Sequence, residues 1–407
     1  MTMERLRSTL AVRAMRLLLL LAILAFRQGQ FARADEAEFN DVIGYMGVGT
    51  QSTGVAHVLG FIHPDGTEEQ YPDFGKPNQK SWVFGPQFSD GRRIVLTSYE
   101  DSDLTKVRSG QVLTRNWIYD FFSHELTEIA TKNRLADQVR SQALMPDEKR
   151  IIMSAIIGGE ERLFIMDLDG DHQDEITFAG GGFHYALALN SNQTRLACHV
   201  TGGKPSFYNP GAYSINVIEL ATRTRVLVAG RPNHLYFGPR WSPDDRQLVY
   251  MDCQLDLDPQ HFRAALCIGQ SDGSGQRVIT PPQAHWFGTP YGSNIPEWTP
   301  DGKAVTYTRL LPKSERDMSH GGAQICLIDA KTDAVTALTP AEEGRWDYRT
   351  VYSPDGKTMS VTRVRTGGAR ELWTMSPDGT NPRKLTSGYQ QKGADFSRWL
   401  RMRTTKK

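Results

Sequence analysis

The sequence lacks the signatures of several common enzyme classes. It has no phosphate-binding glycine loop, no His-Glu-x-x-His and no Cys-x-x-Cys, so nothing in it indicates a P-loop nucleotide hydrolase, a zinc peptidase of that type or a dithiol redox protein. Beyond the N-terminal segment no stretch has convincing helical periodicity, which leaves a chain built from strands. The 37 glycines and 21 prolines agree with many turns.

The sequence also lacks an excess of one charge. It has 47 Lys and Arg against 46 Asp and Glu, and the predicted leader carries six Arg but only one acidic residue. The mature protein is therefore mildly acidic, which argues against nucleic acid as its main partner.

No apolar run is long enough to span a membrane. The longest, from Leu17 to Phe26, has about ten residues where ~20 are needed. Arginines precede it, and Ala32-Arg33-Ala34 follows it with small residues at a cleavage site, which predicts a signal peptide over residues 1–34. We expect residues 35–407 to form one exported domain, periplasmic or secreted, monomeric and with no membrane span after leader removal.

Cysteine is scarce, with four residues in the chain. An exported protein permits disulfides, and Cys253 and Cys267 bracket one loop, so either a bridge or two free thiols is compatible with their position. Cys198 and Cys326 lie in the middle of apolar runs and are predicted to be buried as small hydrophobes.

The chain does contain a repeat. Seven apolar runs each lead into a polar turn, often Asp-Gly, which tolerates the positive φ of a hairpin. These runs are Val58–Ile62, Trp117–Tyr119, Leu163–Met166, Ile215–Ile218, Leu266–Ile268, Ile325–Ile328 and Leu372–Met375. Each is predicted to be one strand of a β-hairpin.

A second repeated element contains a turn such as Trp241-Ser242-Pro243-Asp244-Asp245. Six copies are clear, and two hairpins together would make a four-stranded blade. The missing copy is assigned to residues 393–400, which would pair with residues 43–49 near the N-terminus. The sequence therefore predicts an all-β, seven-bladed β-propeller with four-stranded antiparallel blades, whose first blade is closed by both chain ends.

Function in a propeller is expected in the loops at the mouth of the central channel. Three loops that precede inner strands carry a histidine, namely His184, His234 and His285. Converging imidazoles could bind a transition metal, or could act with Tyr and Arg as base, acid and carboxylate clamp. Scaffold turns and ordinary surface histidines are the structural alternatives.

The turn segments, with Met375-Ser376-Pro377-Asp378-Gly379-Thr380 near the C-terminus, resemble the TolB-type (WD40-like, PD40) repeat propellers over nearly all of residues 40–400. The match concerns fold, because the repeated residues are structural. More weakly, a single ring with histidine-bearing loops is similar to oligogalacturonate lyase and related propeller polysaccharide lyases. That resemblance implies β-elimination of a uronate-containing saccharide at the channel mouth, with manganese or calcium as the metal.

Carried onto this chain, the lyase resemblance assigns roles to named residues. The catalytic candidates are His234, His285, Tyr208, Tyr236, Arg240 and Arg345. The substrate-binding candidates are Trp82, Lys80, Tyr185, Trp286 and Tyr348. The metal candidates are His184, His234, His285 and Gln390. The lyases have a His-x-His pair that this sequence lacks. The alternative is a non-catalytic, TolB-like periplasmic propeller that binds a protein or a glycan.

Overall fold

The computed structural model describes most of the chain between residues 39 and 403. The described residues are 39–48, 57–76, 79, 81–101, 113–129, 139–157, 160–176, 183–201, 213–254, 263–282, 284–286, 294–312, 314, 319–386 and 395–403. Residues 41–402 belong to one compact unit. The predicted leader lies outside the described residues.

Every regular element in the described ranges is a β-strand, so the all-β prediction is confirmed. In chain order the strands are β1 (Phe39–Val48), β2 (His57–Ile62), β3 (Ser81–Gln87), β4 (Arg93–Tyr99), β5 (Thr114–Asp120), β6 (Leu126–Glu128), β7 (Val139–Leu144), β8 (Arg150–Ile157), β9 (Glu160–Asp167), β10 (Asp174–Glu175), β11 (Phe183–Leu189), β12 (Arg195–Thr201), β13 (Ser214–Glu219), β14 (Arg225–Ala229), β15 (His234–Trp241), β16 (Gln247–Gln254), β17 (Arg263–Gln270), β18 (Arg277–Val278), β19 (His285–Trp286), β20 (Glu297–Trp298), β21 (Ala304–Leu310), β22 (Ala323–Asp329), β23 (Val335–Ala337), β24 (Arg345–Tyr352), β25 (Met359–Arg365), β26 (Arg370–Met375), β27 (Arg383–Lys384) and β28 (Asp395–Arg403). Among the residues described, none belongs to an apolar helix of membrane-spanning length.

The strands pair into four-stranded antiparallel arrays. Strands β7–β10 and β11–β14 form separate sheets, each ordered as the chain runs. Strands β3–β6 lie within a seven-stranded sheet, and β15–β18 and β24–β27 lie within a thirteen-stranded one. The fold is a β-propeller, and the seven apolar runs of the repeat fall on β2, β5, β9, β13, β17, β22 and β26.

The Ser/Thr-x-Asp segments of the second repeat close the turns between the first two strands of a sheet. Between β15 and β16 the Ser242 hydroxyl donates to Asp244 Oδ1 at 2.6 Å and accepts from the Gln247 N–H at 3.0 Å. Ser353 makes the same two hydrogen bonds before β25. The Ser242 hydroxyl lowers the pKa of Asp244 by stabilising its carboxylate. The repeated polar residues are thus used by the scaffold.

The core lies between neighbouring sheets. Ala197, Ile215 and Val217 of the β11–β14 sheet pack against Tyr236 and Tyr250 of the β15–β18 sheet. Equivalent clusters fill the spaces between the other neighbouring sheets. Burial of this apolar surface holds the sheets face to face.

The two ends of the chain meet in one sheet, as predicted. Strand β28 lies beside β1, in the order β28-β1-β2. The Gln87 side chain on β3 donates to the Arg401 carbonyl at 2.9 Å, and the Trp399 indole donates to the Val351 carbonyl on β24 at 2.9 Å. The last strand is therefore bonded to elements on both sides of it.

All four cysteines lie in the described residues, where they are buried and form no disulfide bond. Cys253 and Cys267 lie on adjacent strands, but their partners in register are Leu235 and Tyr250 rather than each other. Of the two arrangements left open by the sequence, the structure has the one without a disulfide between Cys253 and Cys267. Burial raises the pKa of Cys267, so this thiol stays protonated and unreactive.

Candidate functional site

His234 and Asp252 form a hydrogen-bonded pair at one end of the β15–β18 sheet. His234 begins β15, and Asp252 lies near the end of β16, so antiparallel pairing brings the two together. The His234 Nδ1 lies 2.7 Å from Asp252 Oδ1. Because the carboxylate accepts the proton on Nδ1, the lone pair of the neutral imidazole lies on Nε2.

The pair opens into a pocket of about 180 Å³. The pocket crosses the sheet and is lined by Arg231, His234, Asp252, Gln254, Arg263, Ala265, Val278 and Pro282. Burial raises the pKa of Asp252, while His234 and Arg231 oppose that rise. The pocket thus combines a possible base with two guanidinium groups.

Tyr236 supports the His234 ring. The two rings are stacked with 9° between their planes and 5.7 Å between their centroids. Tyr236 is buried, packs edge-on against Tyr250, and burial raises its pKa. The stacked Tyr236 ring therefore restrains the orientation of the His234 imidazole.

His285 is a buried histidine whose two ring nitrogens are both engaged. Its Nδ1 accepts from the Thr308 N–H at 3.2 Å, so Nε2 carries the proton and donates to the Asn294 carbonyl at 2.8 Å. Burial lowers its pKa to about 4. In this arrangement the imidazole has neither a lone pair nor a proton to offer a substrate or a metal.

Three of the predicted aromatic binding residues, Trp82, Trp286 and Tyr348, lie in the core. Trp286 is fully buried, and its ring centroid lies 5.3 Å from those of Trp346 and Tyr348. Trp82 is buried against Phe74, 4.5 Å away between centroids. These rings stabilise the contacts between strands, and no face of them is open for stacking on a sugar.

Arg345 and Arg240 are engaged with carboxylates. Arg345 donates from Nε and Nη2 to Asp347 Oδ2 at 2.9 and 2.7 Å. The Arg240 Nε lies 3.6 Å from Glu297 Oε1. Arg345 therefore has an internal counter-ion at hydrogen-bonding distance, whereas the Arg240 pair is looser.

The structure does not bring the three predicted histidines together. His184 is buried. Burial of His199, and then the electrostatic effect of the nearby His184, lower the pKa of His199 to about 3. Among the described residues no group of three or more His, Cys, Asp or Glu could hold a metal ion. The described residues therefore do not fit the manganese or calcium site. Lys80, Tyr208, Gln390 and the side chain of Tyr185 lie outside the description.

Sequence reasoning missed Asp252 and Arg231, and it placed Arg263 in a loop without giving it a role. Asp252 lies inside an apolar run of the sequence. An acidic residue at such a position is costly to bury without a partner, and this was the signal that could have identified it. The segment Gly269-Gln270-Ser271-Asp272-Gly273 matches the Gly-x-Ser-x-Gly motif of the serine-hydrolase nucleophile turn, but it does not have that structure here. It forms the hairpin turn from β17 to β18, and the Ser271 hydroxyl accepts from Arg195 Nη1 at 2.8 Å, so it serves the scaffold.

Known proteins resemble the chain in sequence over a short segment. The uncharacterized peptidase YuxL of Bacillus subtilis (strain 168) is 33% identical over 91 residues, 22% of this chain and 13% of YuxL. The Tol-Pal system protein TolB of Anaeromyxobacter dehalogenans (strain 2CP-C) is 35% identical over 92 residues, 23% of this chain and 18% of that protein. The chain thus matches less than a fifth of the length of these relatives. No protein-family model matches it.

Solved structures resemble it over most of its length. A puromycin-hydrolyzing peptidase of Mycobacterium tuberculosis has a TM-score of 0.60 at 12% identity, covering 88% of this chain and 53% of that one. An oligogalacturonate lyase in complex with manganese has a TM-score of 0.55 at 14% identity, covering 88% and 89%. At such identities the likeness concerns the fold. The resemblance to TolB-type propellers, and the weaker one to oligogalacturonate lyases, is confirmed.

Proposed function

We propose that the protein is a propeller polysaccharide lyase that acts by β-elimination on a uronate-containing saccharide in the His234 pocket. The observation that carries the proposal is the His234–Asp252 pair, which opens into the same pocket as Arg231 and Arg263. Elimination next to a carboxylate needs a base to remove the proton and positive groups to stabilise the developing negative charge, and this pocket has a base and two guanidinium groups.

His234 is the base in this proposal. Its Nε2 takes the proton from C5 of the uronate, the electron pair of the C5–H bond forms the C4=C5 double bond, and the C4–O bond breaks. The departing oxygen takes a proton from water or from a second acid. Asp252 holds the tautomer and stabilises the imidazolium that forms, and Tyr236 keeps the ring in place.

The guanidinium groups of Arg231 and Arg263 would stabilise the negative charge that develops on the uronate carboxylate. The Arg263 Nη2 also donates to the Ser314 carbonyl at 3.0 Å, which restrains its side chain. At about 180 Å³, the pocket is smaller than the roughly 300–1,000 Å³ of a typical ligand site. It suits one sugar ring of a chain rather than a whole oligosaccharide.

The test is incubation of the mature protein with uronic-acid oligosaccharides while the absorbance of the unsaturated product is followed. We expect His234→Gln to lower the rate by about 10²-fold or more, because it removes the base. His172→Gln is the matched control: His172 Nδ1 lies 2.7 Å from Asp167 Oδ2 on an exposed turn. Equal rates for His234→Gln and the wild type would refute the role of His234.

The second candidate function is binding without turnover, as in a TolB-like interaction propeller or a glycan-binding module. The sequence match to TolB supports it. If no oligosaccharide gives an unsaturated product but calorimetry detects binding that His234→Gln abolishes, the pocket is a glycan-binding site. Protein binding that survives His234→Gln would instead favour an interaction propeller.

We further propose seven blades and export to the periplasm. The seven repeat strands and the pairing of β28 with β1 support the blade count. The basic, then apolar, leader with Ala32-Arg33-Ala34 supports export. N-terminal sequencing of the exported protein should begin at Asp35, and a cytoplasmic, uncleaved protein would contradict the proposal.

A further inference from the structure

Three polar side chains form one row across strands β15, β16 and β17. His234, the first residue of β15, is the register partner of Gln254, the last residue of β16. Asp252 is the partner of Ala265 on β17. Two residues further along both strands, the same register places Gln254 opposite Arg263. Side chains opposite each other in antiparallel strands point to the same face, with Cβ atoms about 4.5–5.5 Å apart, so Gln254 lies between His234 and Arg263.

All three members of this row line the His234 pocket. Gln254 is half-buried and faces the same cavity as Arg263. Among the described residues no side-chain hydrogen bond engages its carboxamide. Gln324, by contrast, serves the scaffold, because its Nε2 donates to the Thr339 carbonyl at 2.8 Å. Gln254 thus presents a donor and an acceptor to the pocket that the described part of the scaffold does not use.

The equivalent place in the β24–β27 sheet shows a different solution. There the first residue of β24, Arg345, is the register partner of the last residue of β25, Arg365. Arg345 Nη2 donates to Asp347 and Arg365 Nη1 donates to Glu342, each at 2.7 Å. The protein thus supplies carboxylates for the arginines at this place. The row on β15, β16 and β17 contains a neutral amide and no carboxylate, and the neighbouring Asp252 is engaged with the imidazole.

The lack of charge on Gln254 affects what the pocket attracts. A carboxylate at this place would form an ion pair with Arg263 and would repel an anionic ligand. A carboxamide carries no charge, yet its two N–H groups can donate to a carboxylate oxygen. Gln254 therefore adds a hydrogen-bond donor beside Arg231 and Arg263 without reducing the attraction of their charges for an anion.

We infer that Gln254 is a specificity-determining residue that donates a hydrogen bond to the carboxylate of the bound uronate. This inference rests on the proposed function, because the uronate in the His234 pocket is the ligand. The Arg263 guanidinium holds the same carboxylate on one side of Gln254, and His234 meets the adjacent C5–H on the other. Gln254 thereby aligns C5 with the base, and it selects a carboxylate over a group that needs an acceptor at that place.

The test is calorimetric titration of the full chain with glucuronate and with glucuronamide, which has a neutral amide in place of the carboxylate. We expect Gln254→Leu to weaken glucuronate binding about tenfold or more, because a hydrogen bond to a charged group is lost. Gln254→Glu should lower the preference for glucuronate over glucuronamide by at least about tenfold, because the new carboxylate repels one ligand and accepts from the other. A purely structural role would weaken both ligands alike. Gln247→Leu is the matched control, since Gln247 lies at the other end of β16, opposite Gln270.

The outcomes separate this inference from the proposed function. Equal glucuronate affinities of the wild type and Gln254→Leu, or an unchanged preference in Gln254→Glu, would overturn the inference and leave the lyase proposal standing. If the wild type binds no glucuronate, the inference and the proposed function fail together. If Gln254→Leu weakens binding but no oligosaccharide gives an unsaturated product, the role of Gln254 stands and only the elimination is refuted. Gln254→Asn, which keeps the amide on a shorter side chain, tests the site if Gln254→Leu does not fold, and it too should weaken glucuronate binding.

Discussion

The buried Asp347 provides a sharp test of how Arg345 is used. The Asp347 side chain is fully buried, and its carboxylate accepts from Arg345 Nη2 at 2.7 Å and from Arg363 Nε at 2.6 Å. The side chains of the two arginines are 12% and 8% exposed, and Arg363 also lies over the Trp373 ring at 4.1 Å. Asp347→Ala would leave two nearly buried guanidinium groups without their shared partner.

The expected cost follows from that burial. Removing one partner of a buried ion pair destabilises a protein by about 3–5 kcal/mol, because the remaining charge is uncompensated. An exposed pair contributes about 0–1 kcal/mol. The pair of Arg162 and Glu175, 38% and 42% exposed at 3.4 Å, is the control, and Glu175→Ala should change the free energy of unfolding by less than about 1 kcal/mol.

The assay is urea unfolding followed by tryptophan fluorescence, with the wild type, Asp347→Ala and Glu175→Ala measured together. We expect a clearly lower midpoint for Asp347→Ala and an almost unchanged one for Glu175→Ala. If both variants unfold with the wild type, Asp347 does not hold these arginines, and Arg345 would again be available as a carboxylate clamp.

Three further predictions concern the scaffold. Gly379→Ala should destabilise the protein by more than about 2 kcal/mol, because φ is +83° and a Cβ would overlap the Leu338 carbonyl; Gly367→Ala, with φ +74° and open space around it, should cost less in the same urea assay. Trp286→Ala should lower the free energy of unfolding by about 3–5 kcal/mol, and a smaller loss would mean that this ring is not fully packed. The folded-state pKa of His285, about 4, lies below the ~6.5 of an unfolded histidine, so stability should fall as the pH drops from 6.5 to 4; His285→Asn should flatten the dependence of the urea midpoint on pH, and parallel curves would contradict this.

The strands could be predicted from the sequence because their signals are local. A run such as Leu372–Met375 alternates over a few residues, and the Asp378-Gly379 turn after it is specified by the positive φ that glycine tolerates. The pairing of β28 with β1 could also be predicted from the sequence. The repeat near the C-terminus is incomplete, and the strand near the N-terminus supplies the part that it lacks.

The candidate site was less accessible to sequence reasoning. His234 was identified, but its partner Asp252 follows it by 18 positions within an apolar run. His285 and Trp286 occupy a comparable place in the repeat, yet fold into the core. Position in a repeat specifies where a backbone lies, whereas burial of a side chain depends on packing against other strands, and that information is not local.

The joining of the chain ends also has a kinetic consequence. Most strand pairs connect residues that are close in sequence, whereas the Gln87–Arg401 hydrogen bond links residues 314 positions apart. Closing so long a loop costs entropy that local hairpins do not incur. We therefore expect the sheets to form first and β28 to pair with β1 last. This last pairing should limit the folding rate, and it should be the first part of the propeller to open.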